Sequence, residues 1–571
     1  MTKVYFPYGV SNFEILVKDD YVFVDKTTFI EKLEYTKERN VAFLRPRKFG
    51  KSLWLSILEY YYDTNQSHKF QQLFGKYYIG KNPTPLHNQY RILKFDFSGI
   101  DTETKEKAKR GFSVSVQSSL NNFQIRYSIL TKEASEHIFN AADAEQKIKY
   151  FFDYYPNDKP IYLLFDEYDH FTNDILYRSV EEFIDSVSKQ GYVRKFYEVI
   201  KAATQQGVVD RVFITGVSPL TLDALTSGFN ILTDLTHSPE FDTMLGFTEN
   251  EVKELVRLTL QDPSREDEVL QEMREWYNGY KFSIHSRESI YNSDMVLYYL
   301  KAFSTTQKAP DNLLDTNIAP DYHKLRQMFE VVNFEENKQV LREVLEKGYV
   351  TAPLISQFSF SHDFGSEELI NFLAYLGNLT IEGVDVTGRI KFRIPNRVIE
   401  KLYWQYYGYV LTREAGVKSK VRKIDKAIEE MARSGSYEEF FRLIGEVLEG
   451  LSNRDFIEFS EKQIKMVLIA YLMLADIFEV VSEREVRQGY PDLMLLRKSS
   501  NVYEHHEFVI ELKYLKKGQE GELDKVKAEA RAQILRYYEQ DKHLQNRPYL
   551  HLLTVVCVKD ELYVERISTL N

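Results

Sequence analysis

Cysteine is nearly absent from this sequence of 571 residues, since Cys557 is the single one. An intrachain disulfide and a cysteine-based zinc site are therefore excluded. Cys557 lies in the apolar run His551–Val558, which is typical of a buried strand. Proline and glycine are also sparse, at 15 and 25 residues, so the sequence contains no obvious flexible linker.

Long hydrophobic runs are absent as well. The longest, Met466–Ala475, has about half the length that a helix needs to span a bilayer. The first residues, MTKVYFPYGV, show neither an apolar signal core nor an amphipathic arginine-rich presequence. We therefore expect a cytoplasmic protein without a membrane partner.

The charge balance is acidic, with 74 lysines and arginines against 85 aspartates and glutamates and a net charge of −11. Such a chain is not expected to coat nucleic acid as a histone does, although net charge says little about a single cleft. Hydrophobic residues make up 43% and charged residues 28%, which is ordinary globular usage. The length predicts roughly three to four domains of about 150 residues each.

The first part of the chain alternates short apolar runs with helical stretches. The runs typical of buried strands are Val41–Leu44, Arg91–Phe97, Ile161–Phe165 and Arg211–Thr215. Strands separated by helices favour a parallel α/β sheet with helices on both faces. Residues 248–300 are predicted to be helical, with an interruption at the YNGYKF segment.

The later part of the chain changes pattern twice. Residues 301–445 are mostly helical, with strand-like pieces between 349 and 398, and carry no recognisable chemistry. A second α/β pattern follows, with helices at about 460–476 and 520–540. Its predicted strands are Val480–Glu485, Asp492–Leu496, Glu507–Lys513 and His551–Val558. We therefore predict three domains, at 1–300, 301–445 and 446–571.

The segment RPRKFGKS lies between a short apolar run and a helix. Gly50, Lys51 and Ser52 match the second half of the phosphate-binding pattern GxxxxGK[ST], whereas Arg45 replaces the first glycine. Gly50 lets the backbone approach phosphate oxygens, Lys51 would neutralise the β- and γ-phosphates, and Ser52 would place a hydroxyl on Mg²⁺. Because the following helix N-terminus adds N–H donors, the segment predicts a nucleotide site.

A buried strand ends in Asp166 and Glu167, within IYLLFDEYDH, which is the Walker B arrangement. Asp166 would hold Mg²⁺ through its water shell, and Glu167 would orient and deprotonate the attacking water. The alternative, a solvated acidic turn, is disfavoured by the upstream GKS. A third strand ends at Thr215, a candidate sensor of the γ-phosphate, while Arg194 and Arg211 are candidate arginine fingers between which the sequence does not choose.

Several segments of residues 1–300 together resemble the AAA-ATPase-like family of bacterial proteins. These segments are YGVSNFEILVKDDYVFVDKTTFIEKL, FLRPRKFGKS, LLFDEYD, FITGVSPLTLDALTSGFNI, YNGYKF and IYNSDMVLYYL. The resemblance implies an ATP-binding P-loop fold and makes Arg45 a family feature, since Arg-Pro-Arg precedes Phe-Gly-Lys-Ser in that family. The expected ATP-binding residues are Arg47, Phe49, Gly50, Lys51, Ser52, Leu53, Asp166 and Thr215.

A second polar group lies in the C-terminal strands. Asp492 opens the apolar strand DLMLL, and the strand FVIELKY contains Glu511 and Lys513 at positions i and i+2, on one face. Asp492 joins them if the two strands pair. Two carboxylates with the backbone carbonyl of Leu512 suit Mg²⁺ or Mn²⁺, and Lys513 could position a hydroxide or stabilise a pentacovalent phosphate. The set predicts metal-dependent phosphodiester hydrolysis.

The alternative for these residues is a solvated sheet edge, but charges inside so apolar a strand are costly unless they are paired or metal-bound. The pattern PD…ELK, from Pro491 to Lys513, resembles the PD-(D/E)XK nuclease superfamily over about 455–571. That resemblance implies an extra acidic metal ligand at Glu461, although a solvated helix face fits equally. Gln533 and Tyr537 match a Gln-xxx-Tyr pattern of some members, and core packing accounts for Tyr537 just as well.

The charge of the C-terminal region argues in the other direction. Residues 445–571 contain 18 lysines and arginines against 22 aspartates and glutamates. A DNA-binding domain usually shows a basic footprint. Lys516 and Lys517 could contact phosphates, but solvated loop lysines are the simpler interpretation.

We therefore predict an α/β protein with a P-loop NTPase sheet, a mainly helical middle region and a restriction-endonuclease-like C-terminal domain. The expected function is ATP binding and hydrolysis joined to Mg²⁺-dependent cleavage of nucleic acid, with DNA expected, and with the ATP state gating cleavage. The catalytic residues would be Glu167, Asp492, Glu511 and Lys513. The metal ligands would be Ser52, Asp166, Glu461, Asp492, Glu511 and the Leu512 carbonyl.

The alternative function is a nucleotide-dependent switch or scaffold whose nuclease-like domain binds DNA or a partner without cleavage. A translocase that trims DNA ranks last, because no helicase motif is visible beyond the two nucleotide motifs. The sequence leaves a homo-oligomer open.

Overall fold

The computed structural model describes residues 4–225, 228–315, 329, 334–355, 357–358, 365–452, 459–482, 491–498, 505–516 and 518–568. The chain folds as two units. The first comprises Met1–Val340 and Tyr349–Val398, and the second comprises Leu341–Gly348 and Ile399–Asn571.

A parallel five-stranded sheet of order β2-β3-β4-β1-β5 forms the centre of the first unit. Its strands are β1 (Asn40–Leu44), β2 (Arg91–Asp96), β3 (Ile161–Asp166), β4 (Val209–Gly216) and β5 (Thr233–Asp234). The first four coincide with the predicted strands, and β3 is buried at every position, as expected of a strand covered on both faces. The predicted parallel α/β sheet is therefore confirmed.

Helices surround this sheet in the order of the chain. They are α1 (Phe13–Lys18), α2 (Thr28–Tyr35), α3 (Lys51–Tyr62), α4 (Phe70–Phe74), α5 (Tyr78–Lys81), α6 (Lys105–Tyr127), α7 (Lys132–Asn140), α8 (Ala144–Tyr154), α9 (His170–Arg178), α10 (Val180–Val187), α11 (Tyr192–Gln205), α12 (Leu220–Leu225), α13 (Glu249–Arg257), α14 (Glu266–Tyr277) and α15 (Ser293–Thr306).

Alternate residues of β3 show that helices cover both faces of the sheet. Leu164 is buried in one cluster with Trp54 and Leu58 of α3. Phe165 points the other way and contacts the ring of Phe196 in α11 at 6.4 Å between centroids. The loop after β1 and the carboxyl ends of β3 and β4 thus meet at one edge, where ligands of open α/β sheets bind.

A small antiparallel sheet of order β6-β8-β7 also belongs to the first unit. Its strands are β6 (Tyr349–Ala352), β7 (Thr380–Val384) and β8 (Ile390–Arg393). They account for the strand-like pieces of the middle region. Its helices are α16 (Phe334–Lys347), which continues into the second unit, and α17 (Ser366–Tyr375).

The second unit contains a mixed sheet of order β13-β12-β11-β10-β9. Its strands are β9 (Glu479–Ser482), β10 (Leu493–Leu496), β11 (Glu507–Leu515), β12 (Leu550–Val558) and β13 (Glu561–Ile567). Its helices are α18 (Arg397–Glu414), α19 (Val421–Ser434), α20 (Glu438–Ser452), α21 (Glu461–Ala475), α22 (Leu523–Gln540) and α23 (Lys542–Gln545). The predicted strand Val480–Glu485 corresponds to β9, and its residues 483–485 lie outside the described residues.

Only β11 and β12 pair in parallel in this sheet, and the other pairs are antiparallel. The predicted C-terminal α/β domain is therefore confirmed as a mixed sheet. Across the described part of the chain, no helix is both long enough and apolar enough to cross a membrane.

Candidate functional site

The segment between β1 and α3 forms a loop in which three consecutive backbone N–H groups have no acceptor in the described part of the protein. Gly50 has φ of +90° and Lys48 has φ of +71°, both left-handed. Within the described ranges, the N–H groups of Lys48, Phe49 and Gly50 donate to no protein atom. Consecutive unpaired N–H groups at a helix N-terminus form a cradle for an anion, so the loop fits a phosphate chain.

Lys51 is buried beneath this loop. Its ammonium donates to the carbonyls of Arg45 and Pro46 at 3.0 and 2.9 Å. Burial lowers the pKa of Lys51, and Glu167 opposes that shift most strongly among the nearby carboxylates. Lys51 is thus held where the loop and the acidic end of β3 meet.

Arg45 takes no part in the cradle, although it stands where the phosphate-binding pattern has its first glycine. Its guanidinium lies between the rings of Phe43 and Phe282, 4.1 Å from each centroid. It donates to the carbonyls of Leu44 and Thr236 at 2.9 and 2.8 Å. Burial lowers the pKa of Arg45 to about 9. The side chain is therefore a structural element beneath the sheet edge.

Arg45→Gly is expected to lower the free energy of unfolding of the first unit by about 3 kcal/mol. The carbonyls of Leu44 and Thr236 lose a hydrogen-bond donor, and the rings of Phe43 and Phe282 lose a packing partner. Urea unfolding would measure the loss, and Arg39→Ala at the exposed Arg39–Asp210 pair serves as control. A variant as stable as wild type would contradict this role for Arg45.

The carboxyl end of β3 supplies the acidic residues. Asp166 is 5% exposed, and its Oδ1 has no hydrogen-bond partner in the described part of the chain. Burial raises the pKa of Asp166, and a hydrogen bond with the Ser52 hydroxyl opposes the rise. A buried, unpaired carboxylate oxygen beside a serine hydroxyl fits Mg²⁺ as a ligand. The Thr215 hydroxyl at the end of β4 is buried and likewise unpaired.

Glu167 follows Asp166 in a left-handed conformation, with φ of +45°. Its Oε2 lies 3.7 Å from Nδ1 of His170, and Arg47 donates to the same nitrogen at 3.1 Å. Glu167, His170 and Arg47 all line the cavity described next. A non-glycine residue with positive φ is uncommon, and such positions cluster at active sites.

A cavity of about 530 Å³ opens beside the loop. Six of the expected ATP-binding residues line it: Arg47, Phe49, Gly50, Lys51, Ser52 and Leu53. Asp166 and Thr215 do not line it. Apolar residues also line it, among them Val10, Val24, Leu245, Phe247 and Leu297. An apolar pocket next to a phosphate cradle has the shape and polarity that a nucleoside triphosphate requires.

Neither candidate arginine finger reaches this cavity. Arg194 pairs with Glu198 at 3.0 Å. Arg211 lies near the amino end of β4, and its Nη1 donates to the carbonyl of Glu38 at 3.5 Å. Sequence reasoning also missed the start of α15, where residues 292–294 contact the loop. The segment IYNSDMVLYYL was noted only as part of the family resemblance, with no role for Asn292, Ser293 or Asp294.

In the second unit, β10 and β11 pair antiparallel, with Leu493 opposite Ile510. This register brings Asp492 next to the ExK segment, and its Oδ2 accepts a hydrogen bond from the Leu512 backbone N–H at 2.8 Å. Lys513 donates to Glu511 Oε1 at 2.8 Å and to the Leu512 carbonyl at 2.9 Å. The two carboxylates, the lysine and the carbonyl therefore share one place.

Glu511 is 1% exposed, and its Oε2 has no hydrogen-bond partner among the residues that the structure describes. Burial, followed by the charge of Asp492, raises the pKa of Glu511 to about 7. Burial also raises the pKa of Glu461 at the start of α21, and the charge of Asp492 adds to that shift. No cluster of three or more His, Cys, Asp or Glu suited to a metal occurs among the described residues. The groups placed to hold Mg²⁺ or Mn²⁺ are the carboxylates of Asp492 and Glu511 and the Leu512 carbonyl.

Gln533 and Tyr537 bond to one another on α22, with Nε2 of Gln533 donating to the Tyr537 hydroxyl at 2.7 Å. Tyr537 is buried in a cluster with Val509 and Leu552. Tyr537 thus packs α22 against the sheet, and Gln533 bonds to its hydroxyl.

The raised pKa of Glu511 predicts a pH dependence of stability. In the folded protein the Glu511 carboxyl keeps its proton up to about pH 7, whereas in the unfolded chain it loses the proton near pH 4.5. The stability that Glu511 contributes is therefore full below pH 4.5 and is lost as the pH rises through 7, on the order of 3 kcal/mol. In EDTA, Glu511→Gln should gain stability over wild type at pH 8 but not at pH 4.5, as urea unfolding would show. An equal difference in stability between Glu511→Gln and wild type at both pH values would contradict the raised pKa of Glu511.

Comparison with known proteins places each unit. Residues 7–226 match the family "Predicted AAA-ATPase", and residues 459–567 match the "PD-(D/E)XK nuclease superfamily". The "Uncharacterized protein in vnfD 5'region" of Azotobacter chroococcum mcd 1 is 25% identical over 408 residues, which are 69% of this chain and 68% of that protein. The Walker-type ATPase PABY2304 of Pyrococcus abyssi has 12% identity and a TM-score of 0.40, over 67% of this chain and 96% of that chain.

A parallel sheet with a GKS loop and an acidic strand end defines the class of the first unit, that of Walker-type P-loop proteins. Residues 7–226 belong to the AAA-ATPase-like family, and residues 459–567 form a PD-(D/E)XK nuclease superfamily domain. Both resemblances seen in the sequence are thereby confirmed.

Proposed function

We propose that this protein hydrolyses ATP in its first unit and cleaves DNA with Mg²⁺ or Mn²⁺ in its second. We further propose that the nucleotide state gates cleavage. The observation that carries the nuclease proposal is the unpaired, buried Oε2 of Glu511 next to Asp492 and Lys513.

ATP hydrolysis is supported by the loop, the cavity and the end of β3. The free N–H groups of residues 48–50 would bind phosphate oxygens, and Lys51 would neutralise their charge. Asp166 and Ser52 would hold Mg²⁺, which supplies charge neutralisation at the phosphates. Glu167 would accept the proton of the attacking water, and Nδ1 of His170 lies 3.7 Å from its Oε2.

Phosphodiester cleavage is supported by the segment Glu511-Leu512-Lys513 of β11. Asp492, Glu511 and the Leu512 carbonyl would hold the divalent metal, which supplies Lewis acidity. Lys513 carries its ammonium within 2.8 Å of Glu511, where it would stabilise the negative charge that develops on the scissile phosphate. Desolvation of Glu511 makes its interaction with a cation strong.

Substrate and metal are tested with one panel. Purified protein would be offered plasmid, single-stranded DNA and RNA, each with Mg²⁺ or Mn²⁺, and Asp492→Ala would serve as the matched inactive variant. Cleavage of DNA that disappears in Asp492→Ala supports the proposal. Cleavage by Asp492→Ala at the wild-type rate would place the active site elsewhere. Cleavage of RNA but not DNA would show that the substrate is RNA.

The second candidate is a nucleotide-dependent switch or scaffold that binds DNA or a partner without cutting. The acidic balance of residues 445–571, 18 basic against 22 acidic side chains, favours it. A Mn²⁺ titration separates the two, because a nuclease site should bind the ion in wild type and lose it in Asp492→Ala, whereas a scaffold should bind it equally in both.

A further inference from the structure

Three consecutive residues at the start of α15, here called the 292–294 clamp, contact the phosphate-binding loop. Asn292 Nδ2 donates to the Arg47 carbonyl at 3.2 Å, and Ser293 Oγ donates to the Lys48 carbonyl at 3.2 Å. The backbone N–H of Asp294 donates to that same Lys48 carbonyl at 3.1 Å. The Asp294 carboxylate also pairs with the Lys48 ammonium at 3.1 Å. The clamp thus holds two successive carbonyls of the loop.

Holding a carbonyl fixes the direction of the next N–H group. All described peptide bonds are trans, and in a trans peptide the carbonyl and the following N–H point in opposite directions. The Arg47 carbonyl faces the clamp, so the Lys48 N–H points away from it. The Lys48 carbonyl also faces the clamp, so the Phe49 N–H also points away from the clamp. These are two of the donors that have no protein acceptor in the described structure.

The loop needs such support because its conformation is unfavourable by itself. Lys48 is left-handed without being glycine, which costs free energy, and its N–H and that of Phe49 lack acceptors. Asn292 is itself fixed, since its Oδ1 accepts from Met295 N at 3.3 Å and its own N–H donates to the Tyr277 carbonyl at 3.1 Å. A rigid helix start therefore sets the loop geometry.

We propose that Asn292, Ser293 and Asp294 are positioning residues of the nucleotide site. They hold the loop so that the N–H groups of Lys48 and Phe49 receive oxygens of the polyphosphate chain of a nucleoside triphosphate. This role rests on the proposed binding of ATP at this cavity. It assigns the clamp to the phosphates, and not to the base or to the stability of the fold.

Two variants test the clamp. Asn292→Ser keeps a good N-cap for α15 but is too short to reach the Arg47 carbonyl, and Ser293→Ala removes the hydroxyl that contacts the Lys48 carbonyl. In calorimetric titrations, each should bind both ATP and inorganic tripolyphosphate roughly tenfold more weakly than wild type. Melting temperatures should stay within about 2 °C of wild type.

A third variant provides the matched control. Leu297 lies on the same helix and lines the cavity, as Ser293 and Asp294 do, but its side chain is apolar. Leu297→Ala should weaken ATP binding and leave tripolyphosphate binding unchanged. If the clamp variants instead weaken ATP binding and leave tripolyphosphate binding unchanged, the clamp acts on the base side and the inference is wrong.

Lys51→Ala separates this inference from the proposed function. If Lys51→Ala binds ATP as wild type does, the proposed ATP site is wrong and the clamp loses its role with it. If Lys51→Ala loses ATP while Asn292→Ser and Ser293→Ala bind ATP and tripolyphosphate normally, only the clamp inference is overturned.

Discussion

Glu511→Gln is expected to reduce DNA cleavage by on the order of 1,000-fold while ATP hydrolysis continues at the wild-type rate. The amide keeps the volume of the carboxyl group but carries no charge, so a divalent metal loses a carboxylate ligand whose Oε2 has no partner among the described residues. The ammonium of Lys513 also loses its partner at 2.8 Å. The substitution therefore weakens metal binding and frees the Lys513 ammonium, the two groups proposed to act on the scissile phosphate.

Initial rates on plasmid DNA with Mg²⁺, with phosphate release from ATP measured in parallel, would check this expectation. Glu565→Gln on β13 is the matched control, because its side chain is 45% exposed and pairs only with Lys527 among the described ion pairs. It should cut as wild type does. Undiminished cleavage by Glu511→Gln would remove Glu511 from the site.

Lys51→Ala is expected to lower ATP turnover by on the order of 100-fold or more. Its ammonium donates to the carbonyls of Arg45 and Pro46 and lies in the field of Glu167, Asp169 and Asp166, and the alanine removes that charge from the site. The variant should also lose the rise in melting temperature that ATP gives the wild type, since a ligand stabilises only the protein that binds it.

Steady-state phosphate release and thermal melting with and without Mg·ATP would measure both effects. Lys195→Ala is the control, because Lys195 pairs with Glu198 at 3.3 Å on α11 and does not line the cavity. Normal turnover in Lys51→Ala would contradict the assignment of the loop to ATP.

Much of the fold was predictable from hydrophobic patterns. The strands β1, β3 and β4 are continuous apolar runs because both faces of the parallel sheet are covered. By contrast, β13 alternates charged and apolar residues at the edge of its sheet, with Glu561 and Glu565 among them. An edge strand of that kind has no apolar run to mark it, and the sequence did not predict it.

The candidate sites were predictable only where the chemistry is local. Glu511 and Lys513 stand two residues apart on one strand, so their spacing alone places them on one face. Arg45 was different, because a basic residue in a phosphate loop suggests a phosphate contact, and only the packing of Phe43 and Phe282 shows that it is buried. The clamp at Asn292 depends on a contact across 245 residues, which no local pattern encodes.

ATP gating joins the two proposed activities and is the central claim. The most direct measurement is the rate of DNA cleavage by wild type and by Lys51→Ala, each with Mg²⁺ and with or without ATP, beside Asp492→Ala. We expect ATP to change the wild-type rate, no ATP response in Lys51→Ala, and no cleavage in Asp492→Ala. Equal cleavage by wild type with and without ATP would contradict gating, and cleavage by Asp492→Ala would contradict the nuclease site.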